Sequence, residues 1–145
     1  MHIQPYLFLD GRCDEAITFY RQALGAELNM LMRFSEAPAD APGENGCAGD
    51  GPLPPPDKVM HAELRVGQTR VLLSDGFSRG MPEFKGFSLS LITTDDGEAK
   101  RLFDALAEGG KVDQPLMPTF FASSFGMVSD RFGVSWMVLT EFAAT

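Results

Sequence analysis

His61, Glu63 and Arg65 alternate with Met60, Ala62, Leu64 and Val66, the pattern of a strand with one polar and one apolar face. An imidazole beside a carboxylate is common material for proton transfer. The carboxylate would hold the ring in one tautomer, leaving the other nitrogen to act as base or acid near neutral pH. The same two side chains could offer ligands to a divalent ion, although residues two apart on a strand stand about 7 Å apart at the backbone and would need a third partner. The plainer alternative is a hydrogen-bonded polar pair on an exposed face. Arg65 and Arg33 offer either an anion site or solvated strand charges. Cys13 precedes a helix whose dipole favours a thiolate, while Asp14 and Glu15 oppose it, so a small residue at a helix start is the simpler reading. The other histidine, His2, stands next to Met1.

The elements that must carry these residues can be read along the chain. Residues 3–9 are a short apolar and aromatic strand that ends at the turn pair Asp10-Gly11. Ala16, Phe19, Tyr20, Ala23 and Leu24 have helical spacing, and Gly25 can supply a left-handed stop. Residues 27–34 read as a strand. Residues 35–57, rich in Pro, Gly, Ala, Asp and Glu, read as an acidic surface loop of high mobility. A hairpin follows at 58–75, turning at Gly67-Gln68, and 76–85 is a connector. The order then returns: a strand at 87–93, a helix start at Thr94-Asp95-Asp96, helical spacing at Ala99, Leu102, Phe103 and Leu106, and strands at 111–117, 119–128 and 134–140. The helices repeat at an offset of 83 (Ala16 to Ala99) and the closing hairpins at 65 (Val71 to Trp136). The shortfall matches a loop inserted in the first copy. We read one domain over 1–145, with a first module at 1–75 holding the insertion 35–57, and a second at 86–145.

Composition narrows the partners. The 145 residues can bury a real core, and 44% hydrophobic with 22% charged residues excludes disorder as the main state. A net charge of −8 repels phosphate backbones and anionic lipid, setting nucleic acid and membrane surfaces aside. No apolar run reaches the ~20 residues of a membrane span, and the start lacks a basic segment followed by an apolar one, so the cytoplasm is expected. Cys13 and Cys47 have no CxxC spacing and read as free thiols.

The duplicated strand-helix-strand-strand-strand order, with Pro5-Tyr6-Leu7, Ala16-Ile17-x-Phe19-Tyr20, His61-Ala62-Glu63-Leu64, Leu73-Ser74-Asp75 and Asp130-Arg131-Phe132-Gly133-x-x-Trp136, resembles the vicinal oxygen chelate superfamily. That superfamily includes glyoxalase I, extradiol dioxygenases and the fosfomycin and bleomycin resistance proteins, and the motifs look most like its PhnB-like subfamily. The resemblance spans the whole chain. It implies an α+β fold of two βαβββ modules forming a curled mixed sheet, with a ligand cup lined by Leu7, His61, Glu63, Arg65, Ser88, Phe121, Trp136 and Met137. It also implies a homodimer and a turn-stabilising Asp130. The superfamily's four metal-ligand positions fall on Pro5, His61, Ser88 and Met137, of which only His61 is a good ligand. The methyltransferase label often attached to the subfamily finds no support in the residues, which lack a Gly-rich turn joining a first strand to a helix.

Two readings follow. One is a small-molecule binder with no tightly held cofactor, open at most to a weak divalent metal. The other is a lyase- or dioxygenase-type enzyme with a rearranged site of His61, Glu63 and Asp10 or Ser88. A purely structural role also stays open. Met30, Met32, Phe87, Met117 and Phe125, on expected strands, serve either an apolar cavity or plain core.

Overall fold

Leu7 and Leu9 alternate with Tyr6 and Phe8, and the aliphatic pair is buried while the aromatic pair is half-exposed. This alternation sets the first strand, β1 (Tyr6–Phe8), on its sheet. After it come α1 (Cys13–Leu24), β2 (Glu27–Arg33), a 3₁₀ turn at Phe34–Glu36, β3 (Val59–Val66) and β4 (Thr69–Ser74). The computed structural model describes residues 1–36, 55–76 and 82–142. Residues 37–54 of the 35–57 loop whose mobility is expected, Cys47 among them, and part of the connector (77–81) therefore lie outside the described residues. Two units are present, Met1–Pro82 and Glu83–Thr145.

In the first unit the sheet order is β1-β4-β3-β2, with β1 parallel to β4 and the other pairs antiparallel. Helix α1 begins with Asp14 and Glu15 in its first turn and ends at Gly25, whose φ of 66° and N–H bond to the Tyr20 carbonyl close the last turn. Its stripe of Cys13, Ala16, Ile17, Phe19, Tyr20 and Ala23 is buried against the face that carries Ala62, Leu64, Val71 and Leu73. Burial of each large apolar side chain here contributes about 1.5–3 kcal/mol.

The second unit repeats the plan with β5 (Leu89–Thr93), α2 (Asp96–Ala107), β6 (Lys111–Met117), β7 (Ala122–Ser129) and β8 (Ser135–Glu141), in the order β5-β8-β7-β6. The strand permutation is the same. Asp95 caps α2 by accepting from Glu98 N at 2.9 Å. Gly126 lets α2 come close: a Cβ there would lie 2.7 Å from the Phe103 ring. The chain is thus α+β, with two mixed four-stranded sheets and a helix in each unit. Some element edges differ from those read in the sequence. The first strand is shorter because Gln4 and Pro5 precede its ladder, and β7 starts at Ala122 because Thr119 turns the chain, its hydroxyl accepting from Ala122 N at 3.1 Å.

Two carboxylates hold the joints. Asp75, 3% exposed, accepts from Gly11 N at 2.7 Å, Cys13 N at 3.1 Å and Val59 N at 2.9 Å. Asp130, 4% exposed, accepts from Phe132 N, Val134 N and Trp136 Nε1 at 2.9, 3.0 and 2.8 Å. Each group left buried and unsatisfied costs about 1–3 kcal/mol. Asp75→Ala is therefore expected to lose about 3 kcal/mol in denaturant unfolding, and a loss below about 1 kcal/mol would show that those N–H groups find other partners. Asp96 accepts from Ser124 and Ser123 hydroxyls at 2.6 and 2.7 Å, and these bonds hold its carboxyl below the usual carboxylate range. A lowered folded-state value contributes stability above the ordinary value of about 4, lost as pH falls through the lowered one. In an NMR titration, Ser124→Ala should move the Asp96 midpoint upward; an unmoved midpoint would trace the shift elsewhere.

Candidate functional site

β3 turns His61 to the sheet face opposite Ala62 and Leu64, away from α1. From β1 the Tyr6 hydroxyl reaches it: Tyr6 Oη lies 2.8 Å from His61 Nδ1, with ring centroids 5.6 Å apart at 44°. Phe8 stacks on Tyr6, centroids 5.0 Å apart at 22°. Strand register places Met32 beside His61, Met30 and Leu72 on either side of Glu63, and Leu72 beside Tyr6. Directly paired residues share a face. The result is a patch of two aromatic rings, two thioethers and a leucine around one phenol–imidazole hydrogen bond. His61 is half-buried, and among the described residues its Nε2 bonds to no protein group.

Glu63 shares the face but does not partner His61. Its Oε2 accepts from Asn29 Nδ2 at 3.2 Å and faces Arg70 Nε at 3.8 Å. The expected carboxylate–imidazole pair is thus corrected. At two-residue spacing a short glutamate meets its cross-strand neighbours sooner than the next residue on its own face, and Tyr6 takes the ring instead. Arg65 is half-exposed and paired with Glu27. Arg33 grips Asp14 through two bonds of 2.8 and 2.9 Å, which hold the Asp14 carboxyl below its ordinary range, and also donates to the Asp57 carbonyl at 2.6 Å. Both of its terminal nitrogens are thus engaged by the protein's own groups.

Leu7 and Trp136 fall on the wrong side of their strands for a ligand on these faces. Leu7 is 2% exposed in the core, and Trp136, 3% exposed, sends its Nε1–H to Asp130. In the second unit, the face turned away from α2 carries Ser88, hydrogen-bonded to Ser135 at 2.6 Å, and Met137 beside Ser90 and Met127. Phe121 precedes β7 and packs edge-on against Phe120 and Phe125, each 5.1 Å away. Tyr6, Phe8 and Leu72 escaped the sequence reading. The signal that could have found them was parity: in residues 6–9 the aliphatic Leu7 and Leu9 mark the core side, leaving the aromatic pair on the other.

A family model, the Glyoxalase/Bleomycin resistance protein/Dioxygenase superfamily, matches residues 2–138. The chain belongs to this superfamily. It is 37% identical over 138 residues to the protein YjdN of Escherichia coli K12, covering 95% of this chain and 94% of that one. Among solved structures, PA1353 from Pseudomonas aeruginosa is 44% identical with a TM-score of 0.78, covering 97% of this chain and 98% of that one. The PhnB protein from Bacillus cereus shares the fold at 23% identity and a TM-score of 0.74, over 97% and 99% of the two chains.

The divalent-ion positions implied for a superfamily member do not fit an ion in this chain. Pro5 offers only its carbonyl, which accepts from Leu72 N at 2.9 Å. Tyr6, rather than Pro5, is the β1 residue that shares a face with His61. Nδ1 of His61 is bonded to a phenol, Ser88 to another serine, and Met137 is a thioether that hard and borderline cations rarely take. Asp10 lies in the β1–α1 turn at φ 46°. Among the described residues no three His, Cys, Asp or Glu side chains gather where an ion could sit. Also among them, no helix is long and apolar enough to cross a membrane.

Cys13 is fully buried, and burial followed by the neighbouring Asp75 carboxylate pushes its thiol up, away from the reactive thiolate. Peptide mapping after iodoacetamide treatment of the native protein at pH 8 should leave Cys13 unmodified until denaturant is added; native alkylation would contradict this burial.

Proposed function

We propose that this glyoxalase-superfamily protein binds a small molecule on the Tyr6–His61 face without a tightly held divalent metal. The observation that carries the reading is the Tyr6–His61 hydrogen bond set among Phe8, Met30, Met32 and Leu72. Such a surface offers apolar, polarisable contact with one hydrogen-bonding centre, the composition of small-molecule sites rather than of cation sites. Glu63 and Arg65 give that face a polar rim, and Ser88, Met137 and Phe121 extend the reading to the corresponding face of the second unit, taken by itself. The protein works in the cytoplasm as a homodimer of the PhnB-like kind, in which a second copy covers the sheet edges at β2 and β6. A second reading, a His61-based acid–base enzyme, draws on the same bond, because a phenol donating to Nδ1 fixes the imidazole in one tautomer, with its proton on Nε2, the reverse of the tautomer a carboxylate would select.

Metal analysis of the purified protein, followed by calorimetric titration of wild type and His61→Ala with Ni²⁺, Zn²⁺, Mn²⁺ and Fe²⁺, tests the metal-free reading. We expect no stoichiometric metal and no His61-dependent heat. Near-stoichiometric binding lost in His61→Ala would restore a chelate-type enzyme.

A further inference from the structure

Resting on the binding reading above, we infer the chemistry of the ligand: a flat aromatic or conjugated body bearing an oxygen that accepts a hydrogen bond from His61 Nε2–H. The argument starts at Nδ1. Tyr6 Oη lies 2.8 Å from it, and of the two groups the phenol is the better donor while the unprotonated ring nitrogen is the better acceptor. The bond therefore runs from Tyr6 to Nδ1, and the single proton of neutral imidazole sits on Nε2. Among the described residues Nε2 has no protein partner, although the ring is half-buried. A donor left open at the centre of an apolar patch gains most from an acceptor on the molecule that covers it.

The surroundings define the rest of that molecule. The rings of Tyr6 and Phe8 lie nearly parallel, 22° apart, and Met30, Met32 and Leu72 share their face. Aromatic faces and thioethers suit a flat, polarisable body. Charge does not bar an anionic oxygen: Glu63 is engaged by Asn29 and Arg70, and Glu27 by Arg65. A cation would face an N–H donor and, among the described residues, Glu63 and Glu27 carboxylates that are already engaged.

The probes are 2-naphthoate, which carries the oxygen, and 2-methylnaphthalene, which has the same body without it. Both are titrated by fluorescence into the full chain as wild type, Tyr6→Phe, His61→Leu and His61→Gln. Wild type should prefer 2-naphthoate. His61→Leu should lower 2-naphthoate affinity about tenfold or more, the worth of a hydrogen bond to a charged group, and leave 2-methylnaphthalene unchanged. His61→Gln, whose amide N–H can stand in for the Nε2 donor, should recover part of the loss, and Tyr6→Phe should weaken 2-naphthoate by less. In parallel, ¹⁵N spectra of the His61 ring should show a protonated Nε2 and a bare Nδ1 in wild type. Equal losses for both probes, no loss in His61→Leu, or a protonated Nδ1 in neutral wild type would overturn the inference while leaving the binding reading standing. Failure of wild type to bind either probe would overturn both.

Discussion

A carboxylate buried where three chain segments meet has to find its donors there, and in the first unit Asp75 finds them in the turn after β1, in the first residue of α1 and in the first residue of β3. The turn it holds carries one strained residue, Asp10 at φ 46°, followed by Gly11 at φ 97°, a conformation that glycine adopts without cost. The clamp offsets that strain and sets where β3 begins. His61 stands two residues past Val59, whose N–H is one of the three donors, and Tyr6 lies on the strand that runs parallel to β4 just before Asp75. Reach between Tyr6 and His61 therefore depends on the registers that Asp75 locks, more than on either side chain alone.

The second unit meets the same joint with different groups. There the buried hydroxyls of Thr93 and Thr140 lie 2.8 Å apart, with the Asp95 carbonyl 3.1 and 3.3 Å from them, so that one hydroxyl donates to the other and the second donates to the carbonyl. The carboxylate has moved onto the helix, at Asp96, where Ser123 and Ser124 donate to it. Under the offset of 83 between the helices, Asp96 takes the place of Cys13. In the first unit Asp75 already accepts from Cys13 N at 3.1 Å, so a carboxylate in place of Cys13 would set two like charges side by side. A small neutral residue is what fits beside it, which accounts for the buried cysteine without any chemistry of its own.

Much of this was legible in the sequence because it rests on local pattern. Alternation at Met60–Val66, helical spacing at Ala16–Leu24 and Ala99–Leu106, and the repeat between them are properties of neighbouring residues, and they carry the element order and the doubled unit. The partner of His61 was not legible in that way. Tyr6 is separated from it by 55 positions and two strand pairings, whereas Glu63 is the near neighbour in sequence, so proximity along the chain pointed to the wrong group. The same holds on β1, where Pro5 and Leu7 are the chain neighbours of Tyr6 and Phe8, the residues that strand parity puts on the face of His61. Since the side-chain period of a strand is two, a slip of one exchanges core for site.

A shared frame thus conveys a face and not a chemistry. The superfamily fold brings a β1 side chain and a β3 side chain within hydrogen-bonding distance, and the residue types placed there decide what the face can hold. With His61 bonded to Tyr6, an ion arriving at Nδ1 would have to displace a hydrogen bond of about 0.5–1.5 kcal/mol net and would gain one imidazole nitrogen. That displacement is small in itself. Among the described residues an ion would not find the second and third protein ligand that make a divalent site tight, since Glu63 is engaged by Asn29 and Arg70. A molecule with an accepting oxygen and a flat apolar body asks less of the same residues: the hydrogen bond to Tyr6 stays, Nε2 acquires a partner, and the aromatic and thioether surface loses its contact with water.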